Sequence, residues 1–203
     1  MSITAGDVKK LREATGAGMM DCKKALQDAD GDFDKAKELL RERGMASAKK
    51  LSERSAEEGV VTAYLHQPDP LQPPKVGVLV EMNCATDFVA KTEGFQTLAR
   101  DIALHITAMR PTVVTREELP EEMVAKERDF ITNQAREEGK PENVIDKIVE
   151  GRMKTFYAEH CLLDQPYSRD ESKTVGELLD EMAAEMKEPV KVRRFARFRV
   201  GAE

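Results

Sequence analysis

The chain contains no tryptophan, three histidines and three cysteines, and no apolar run near the roughly 18 residues that would span a bilayer. Cys22, Cys84 and Cys161 are odd in number, widely spaced and without a C-x-x-C pair. This disfavours a disulfide framework and a zinc site, and leaves buried reduced thiols as the expectation. His66, His105 and His160 stand in unrelated contexts, and the chain has no H-E-x-x-H, G-x-S-x-G or phosphate-loop motif. Bond-making chemistry therefore has little support. His105, between Leu104 and Ile106, reads as a satisfied packing residue. Carboxylates are abundant, but no pair is set apart by an apolar setting that would separate two pKa values. The first residues lack a basic stretch followed by an apolar block, which points to the cytoplasm.

What is present is a charged, helix-rich composition. With 203 residues, 34% charged, 40% hydrophobic and a formal charge of −6, the chain is long enough for one full core plus a small module. Residues 1–44 form the module. Thr4, with Asp7 three positions on, caps a first helix whose stripe is Val8 and Leu11, and Thr15-Gly16-Ala17-Gly18 breaks it. Met19, Cys22, Ala25 and Leu26 then follow at helical spacing up to Asp30-Gly31. A third helix from Asp32 turns Phe33, Ala36, Leu39 and Leu40 inward. Gly44–Ser55, with Lys49-Lys50 and Arg54, reads as a semi-rigid helical linker.

From Gly59 the period changes to that of strands. Val60–Leu65 and Val76–Met82, joined by a proline-rich loop from His66 to Pro74, predict an antiparallel hairpin. After Asp87 a helix carries Phe95, Leu98, Ala99, Ile102, Ile106 and Met109 at steps of three and four until Arg110-Pro111. Further helices are predicted at Pro120–Glu138 and Pro141–Leu163, each with proline near its first turn, and at Val175–Met186. Val190–Val200 predicts a last strand in which the alternation slips at Arg193-Arg194, as at a bulge. Its arginines read as a solvated, edge-protecting face rather than a nucleic-acid stripe, because an acidic chain forfeits phosphate attraction. Together these elements make an α+β fold: a three-helix bundle, then a small antiparallel sheet packed with helices.

Two places break the pattern of simple packing. Asn83-Cys84-Ala85-Thr86-Asp87-Phe88-Val89 puts an acid beside an aromatic at a strand-to-helix corner, where the flanking elements fix the direction of a tip. Taken alone, it is read more simply as a Thr86 or Asp87 cap over a buried Phe88. Met19-Met20 opens the second helix beside a glycine turn, and adjacent helical residues diverge by about 100°. One methionine can face the bundle while the other faces solvent as an adaptable contact. The residues by themselves equally allow both in the core.

Val8-Lys9-Lys10-Leu11-Arg12 with Thr15-Gly16-Ala17-Gly18-Met19-Met20-Asp21-Cys22-Lys23-Lys24-Ala25-Leu26 resembles the opening of the bacterial elongation factor Ts family. Val80–Lys91 is similar to that family's second signature, and Leu163–Pro166 with Lys173-Thr174-Val175 resembles its C-terminal region. The resemblance covers nearly the whole chain, in order. It departs at Ala85, where many relatives have Glu or Gln, and in the proline-rich loop.

The resemblance implies a nucleotide exchange factor for elongation factor Tu rather than an enzyme, with no cofactor or metal of its own. It implies a UBA-like bundle over 1–44, a helical linker over 45–57 and an α+β core over 58–203. Met19 and Met20 would dock on the GTPase, and Thr86, Asp87, Phe88 and Val89 would intrude near its magnesium and phosphate site. A single core copy implies a homodimer, with the sheet edge or the helices around Phe156 and Tyr157 as candidate interfaces; neither nucleic acid nor membrane is an expected partner. The rival reading is a helical interaction adaptor without exchange activity. An enzyme using Cys22 or Cys84 as a thiolate stands far behind.

Overall fold

Thr4 Oγ1 accepts from the Asp7 N–H at 3.2 Å while Asp7 Oδ2 accepts from the Thr4 N–H at 3.0 Å, closing a capping box on α1 (Ala5–Thr15). The computed structural model in which this is seen describes residues 3–201, leaving aside the side chains of 45–50 and 52. α1 ends at Gly16, whose φ of 69° is the left-handed conformation that glycine adopts without steric cost. α2 (Met19–Asp28) follows, and Asp32 caps α3 (Phe33–Ser52) by accepting from the Asp34 and Lys35 N–H groups at 3.1 and 3.0 Å. Val8, Leu11, Cys22, Ala25, Leu26, Ala29 and Ala36 make the bundle core.

The inward assignment of Phe33 is corrected, and the facing of Met19, which the sequence left open, is outward. Met19 and Phe33 are the first residues of α2 and α3 and are exposed. The core starts one turn further in, at Cys22 and Ala36, so these first turns overhang it. α3 passes Gly44 without a break, so the predicted linker begins as the second half of the third helix. The side chains of Lys49 and Lys50 lie outside the described residues, while Leu51 packs on the main core.

β1 (Glu58–His66), β2 (Val76–Cys84) and β5 (Lys191–Arg199) form an antiparallel sheet in the order β1-β2-β5. Glu81 faces Arg194 and Met82 faces Val192, so Arg193 is the extra residue of a bulge where the alternation slips. Gly59 lies opposite Asn83 with φ 154°, and a Cβ there would fall 2.0 Å from the Met82 carbonyl oxygen.

The helix predicted after Asp87 is two helices, α4 (Asp87–Ala90) and α5 (Glu93–Met109). Thr92 makes the break: its hydroxyl donates to the Val89 carbonyl at 2.7 Å and accepts from the Phe95 N–H at 3.3 Å, ending one helix and capping the next. Phe95, Leu98, Ala99, Ile102, Ala103 and Ile106 of α5 then pack with Val78, Val80 and Met82 of β2. α6 (Glu121–Glu137) and α7 (Glu142–His160) share a separate core of Ile131, Ala135, Ile145, Val149, Met153 and Phe156. Pro120 and Pro141 occupy their N-caps, one step before the first turn, and α7 stops short of Leu163. A small hairpin of β3 (Pro166–Tyr167) and β4 (Asp170–Thr174), unforeseen from sequence, leads into α8 (Val175–Met186), which packs on α3.

The fold is α+β. The sheet face away from α5 carries three cross-strand rows: Val61, Glu81 and Arg194; Ala63, Leu79 and Ala196; Leu65, Gly77 and Phe198. Val61, Leu65, Leu79 and Phe198 are exposed there. Among the described residues, no helix is long and apolar enough to cross a membrane.

Candidate functional site

The corner between β2 and α5 begins where Cys84, the last residue of β2, is buried and leads through Ala85 to Thr86, whose φ of −129° and ψ of 151° are extended. Every polar atom of Thr86 is engaged. Its N–H donates to Glu188 Oε2 at 3.0 Å, and its hydroxyl donates to Glu188 Oε1 at 2.7 Å while accepting from the Val89 N–H at 3.4 Å. Its carbonyl accepts from Cys84 Sγ at 3.2 Å and from the Ala90 N–H at 3.3 Å. Val89 packs partly on the main core, and Ala90 is buried. The turn is thus anchored on its inner side by packing and on its outer side by hydrogen bonds.

From this mount Phe88 projects with 79% of its surface exposed. A large aromatic in water gains nothing for the fold, so the simpler reading of a buried Phe88 is excluded while Thr86 remains a cap. Asp87 is partly exposed and pairs with Lys91 one turn on. The Lys91 hydrogen bond holds the Asp87 carboxyl below its usual range, so it is an anion at neutral pH.

Met19 and Met20 form a second exposed feature on a different unit, at 49% and 73%. Gly18, extended at φ −60° and ψ 146°, is the N-cap that turns the chain into α2 just before them. Both methionines are outside the bundle core, so two flexible thioethers are offered to solvent.

The cysteines do not have the setting of nucleophiles. Cys22, Cys84 and Cys161 are buried and free. Burial, followed by the nearby Glu188 charge, pushes the Cys84 thiol up, and burial pushes Cys161 up to about 11. Activation of a thiolate requires the opposite shift.

The family description "Elongation factor TS" matches residues 7–202. The chain belongs to the elongation factor Ts family. The elongation factor Ts of Moorella thermoacetica is 51% identical over 98% of this chain and 96% of its own length. Those of Caldanaerobacter subterraneus and Carboxydothermus hydrogenoformans are each 52% identical over 98% of this chain, covering 97% and 89% of their own lengths. Membership in elongation factor Ts makes this a protein of translation elongation.

Within this elongation factor Ts fold, Thr86, Asp87, Phe88 and Val89 come together at one corner, while Met19 and Met20 stand apart on the bundle. Sequence reasoning missed Glu188, which meets Thr86 across 102 positions, and the Asp87–Lys91 pair. The second was legible as opposite charges four apart. The first had only a weak signal: Glu188 precedes Pro189, which favours an extended backbone at that position.

Proposed function

We propose that this protein binds elongation factor Tu in its GDP form and promotes GDP release by disturbing the magnesium and phosphate site. The observation that carries this reading is Phe88, exposed at the apex of a turn that is anchored through Thr86. GDP is held on such a GTPase largely through a phosphate loop and a magnesium ion, so displacing either loosens the nucleotide without touching the base. Phe88 is the wedge, since an aromatic with two side-chain torsions enters a partner at low entropic cost. Asp87, an anion, competes for hydrogen bonds or for the water shell of the magnesium. No bond is made or broken by the factor, and the cytoplasm is where this role belongs.

Linkage sets the scale of the interface. A factor that weakens GDP must itself be weakened by GDP to the same extent, and moving a site from 1:99 to 99:1 takes about 5.5 kcal/mol of differential affinity. One aromatic and one acid do not supply this, so Met19 and Met20 on the bundle provide further docking contact.

The protein acts as a homodimer. The outer sheet face, with Leu79 central and Val61, Leu65 and Phe198 around it, supports a second copy as its cover. Phe156 is buried in the α6–α7 core and Tyr157 is covered by the Arg116 guanidinium 4.5 Å from its ring centre, so those helices are weaker candidates.

The test is release of fluorescent GDP from elongation factor Tu against excess unlabelled GDP, with wild type and Phe88→Ala compared. Removing a side chain this exposed is expected to change stability by less than about 0.5 kcal/mol. Fast release by wild type and strongly slowed release by Phe88→Ala support the wedge. Equal acceleration by both removes Phe88 from the mechanism, and binding without acceleration by either leaves an interaction adaptor in its place.

A further inference from the structure

We infer that Glu188 is the positioning residue of the exchange tip: its carboxylate, reaching from the α8–β5 connection, holds Thr86 so that Phe88 and Asp87 point into the partner. This rests on the exchange reading above and adds a residue to it. Glu188 takes both polar hydrogens of Thr86, the N–H at 3.0 Å and the hydroxyl at 2.7 Å, one on each carboxylate oxygen. Such a two-point contact fixes orientation as well as distance, because neither bond can rotate without loss of the other.

The support behind Glu188 is itself stiff. Lys187 ends α8 in the left-handed conformation, φ 57°, and the buried Pro189 follows Glu188 before β5 starts at Lys191. A residue before proline is held near extended backbone, so the carboxylate is carried on a short segment with little freedom. On the other side Cys84 Sγ donates to the Thr86 carbonyl at 3.2 Å, which leaves Thr86 gripped between the end of β2 and the connection that leads into β5. β2 and β5 are paired in the sheet, so the grip closes a ring through the core. Without Glu188, the tip retains its helix cap but loses its outer restraint.

A loosened tip spends only a fraction of its time in the productive pose. Docking through the bundle does not depend on that fraction, whereas the rate of GDP release from the docked complex does. Glu188 should therefore act on the saturating rate and not on the concentration needed to reach it, a split that general destabilisation would not give.

The experiment measures GDP release from elongation factor Tu as a function of factor concentration for wild type, Thr86→Val, Glu188→Ala, Glu188→Gln and the Thr86→Val/Glu188→Ala pair. Hydrogen exchange at residues 84–92 is followed in parallel. Glu188→Ala should lower the saturating rate about tenfold, the scale of hydrogen bonds to a charged group, with half-saturation within about twofold of wild type. Glu188→Gln, whose amide oxygen can still accept from the Thr86 N–H while its NH2 faces the Thr86 hydroxyl, keeps the contacts without the charge and should fall between, and the double variant should lose less than the sum of the two single changes. The exchange of the Thr86 amide should quicken in Glu188→Ala, with a cooperative fold whose unfolding midpoint falls by no more than several degrees. A saturating rate within twofold of wild type, strictly additive losses, or a change in half-saturation alone would overturn the assignment. If wild type itself fails to speed GDP release, the exchange reading falls and takes the tip's task with it, and unchanged Thr86 amide exchange would then refute the clamp separately.

Discussion

His105 is fully buried with both ring nitrogens engaged: Nε2 donates to Gln165 Oε1 at 3.0 Å, and Nδ1 accepts from the Ser168 N–H at 3.2 Å. A proton on Nδ1 would meet that N–H, and burial pushes the pKa below the ordinary value with the Gln165 bond opposing only in part. The unfolded chain then takes up a proton before the folded one does as pH drops. The His105 contribution is present above the unfolded pKa of about 6.5 and is lost as pH falls below it, at about 1.4 kcal/mol per unit of depression. Urea unfolding at several pH values should show His105→Gln less stable than wild type near pH 7, with the gap narrowing toward pH 5. Phe88 belongs to the same scale with the opposite logic: where His105 is valuable because it is enclosed, Phe88 is informative because it is not.

At the scale of elements, the corner depends on how closely β1 and β2 approach. Gly59 has a positive φ opposite Asn83, immediately before the strand end that carries Cys84 into the tip. Gly59→Ala adds a methyl 2.0 Å from the Met82 carbonyl oxygen in a backbone region closed to alanine. Strain of this kind costs about 1–3 kcal/mol, so the melting temperature should fall by several degrees and the Thr86–Val89 turn should lose order with it. Calorimetry with hydrogen exchange at the corner checks both; an unchanged melting temperature would show that β1 can shift away freely. The break at Thr92 is also an element-scale device, since it separates the solvent-facing turn of α4 from α5, whose apolar face is committed to the core.

At the scale of the molecule, the sheet has one covered face and one apolar face in solvent. Folded monomers seldom leave such an area open, and stable interfaces bury on the order of 1,600 Å² in total. Leu79 lies at its centre between Ala63 and Ala196, 48% exposed within the protomer. Leu79→Glu places a charge beside Glu81 on that face and should yield a folded monomer by light scattering, whereas the proposed homodimer predicts a dimer for wild type. A variant that remains dimeric would move the interface elsewhere, and a monomeric wild type would remove the homodimer altogether.

What the sequence by itself determined is what short-range chemistry controls. The Thr4–Asp7 box, the breaks at Gly16 and Pro111, the hairpin of β1 and β2, and the bulge at Arg193 each follow from hydrogen bonds or torsions within a few residues or from strand alternation. The two family signatures are contiguous as well, so the resemblance was legible before any fold. Tertiary structure decided what periodicity leaves open. Met19 and Phe33 obey the helical spacing and yet lie outside the core, because the core begins a turn further in. The grip of Glu188 on Thr86 spans 102 positions and exists only because β5 returns beside β2. Spacing along a chain reports which residues share a face; which face meets another, and where a side chain finds its distant partner, depends on how the elements pack.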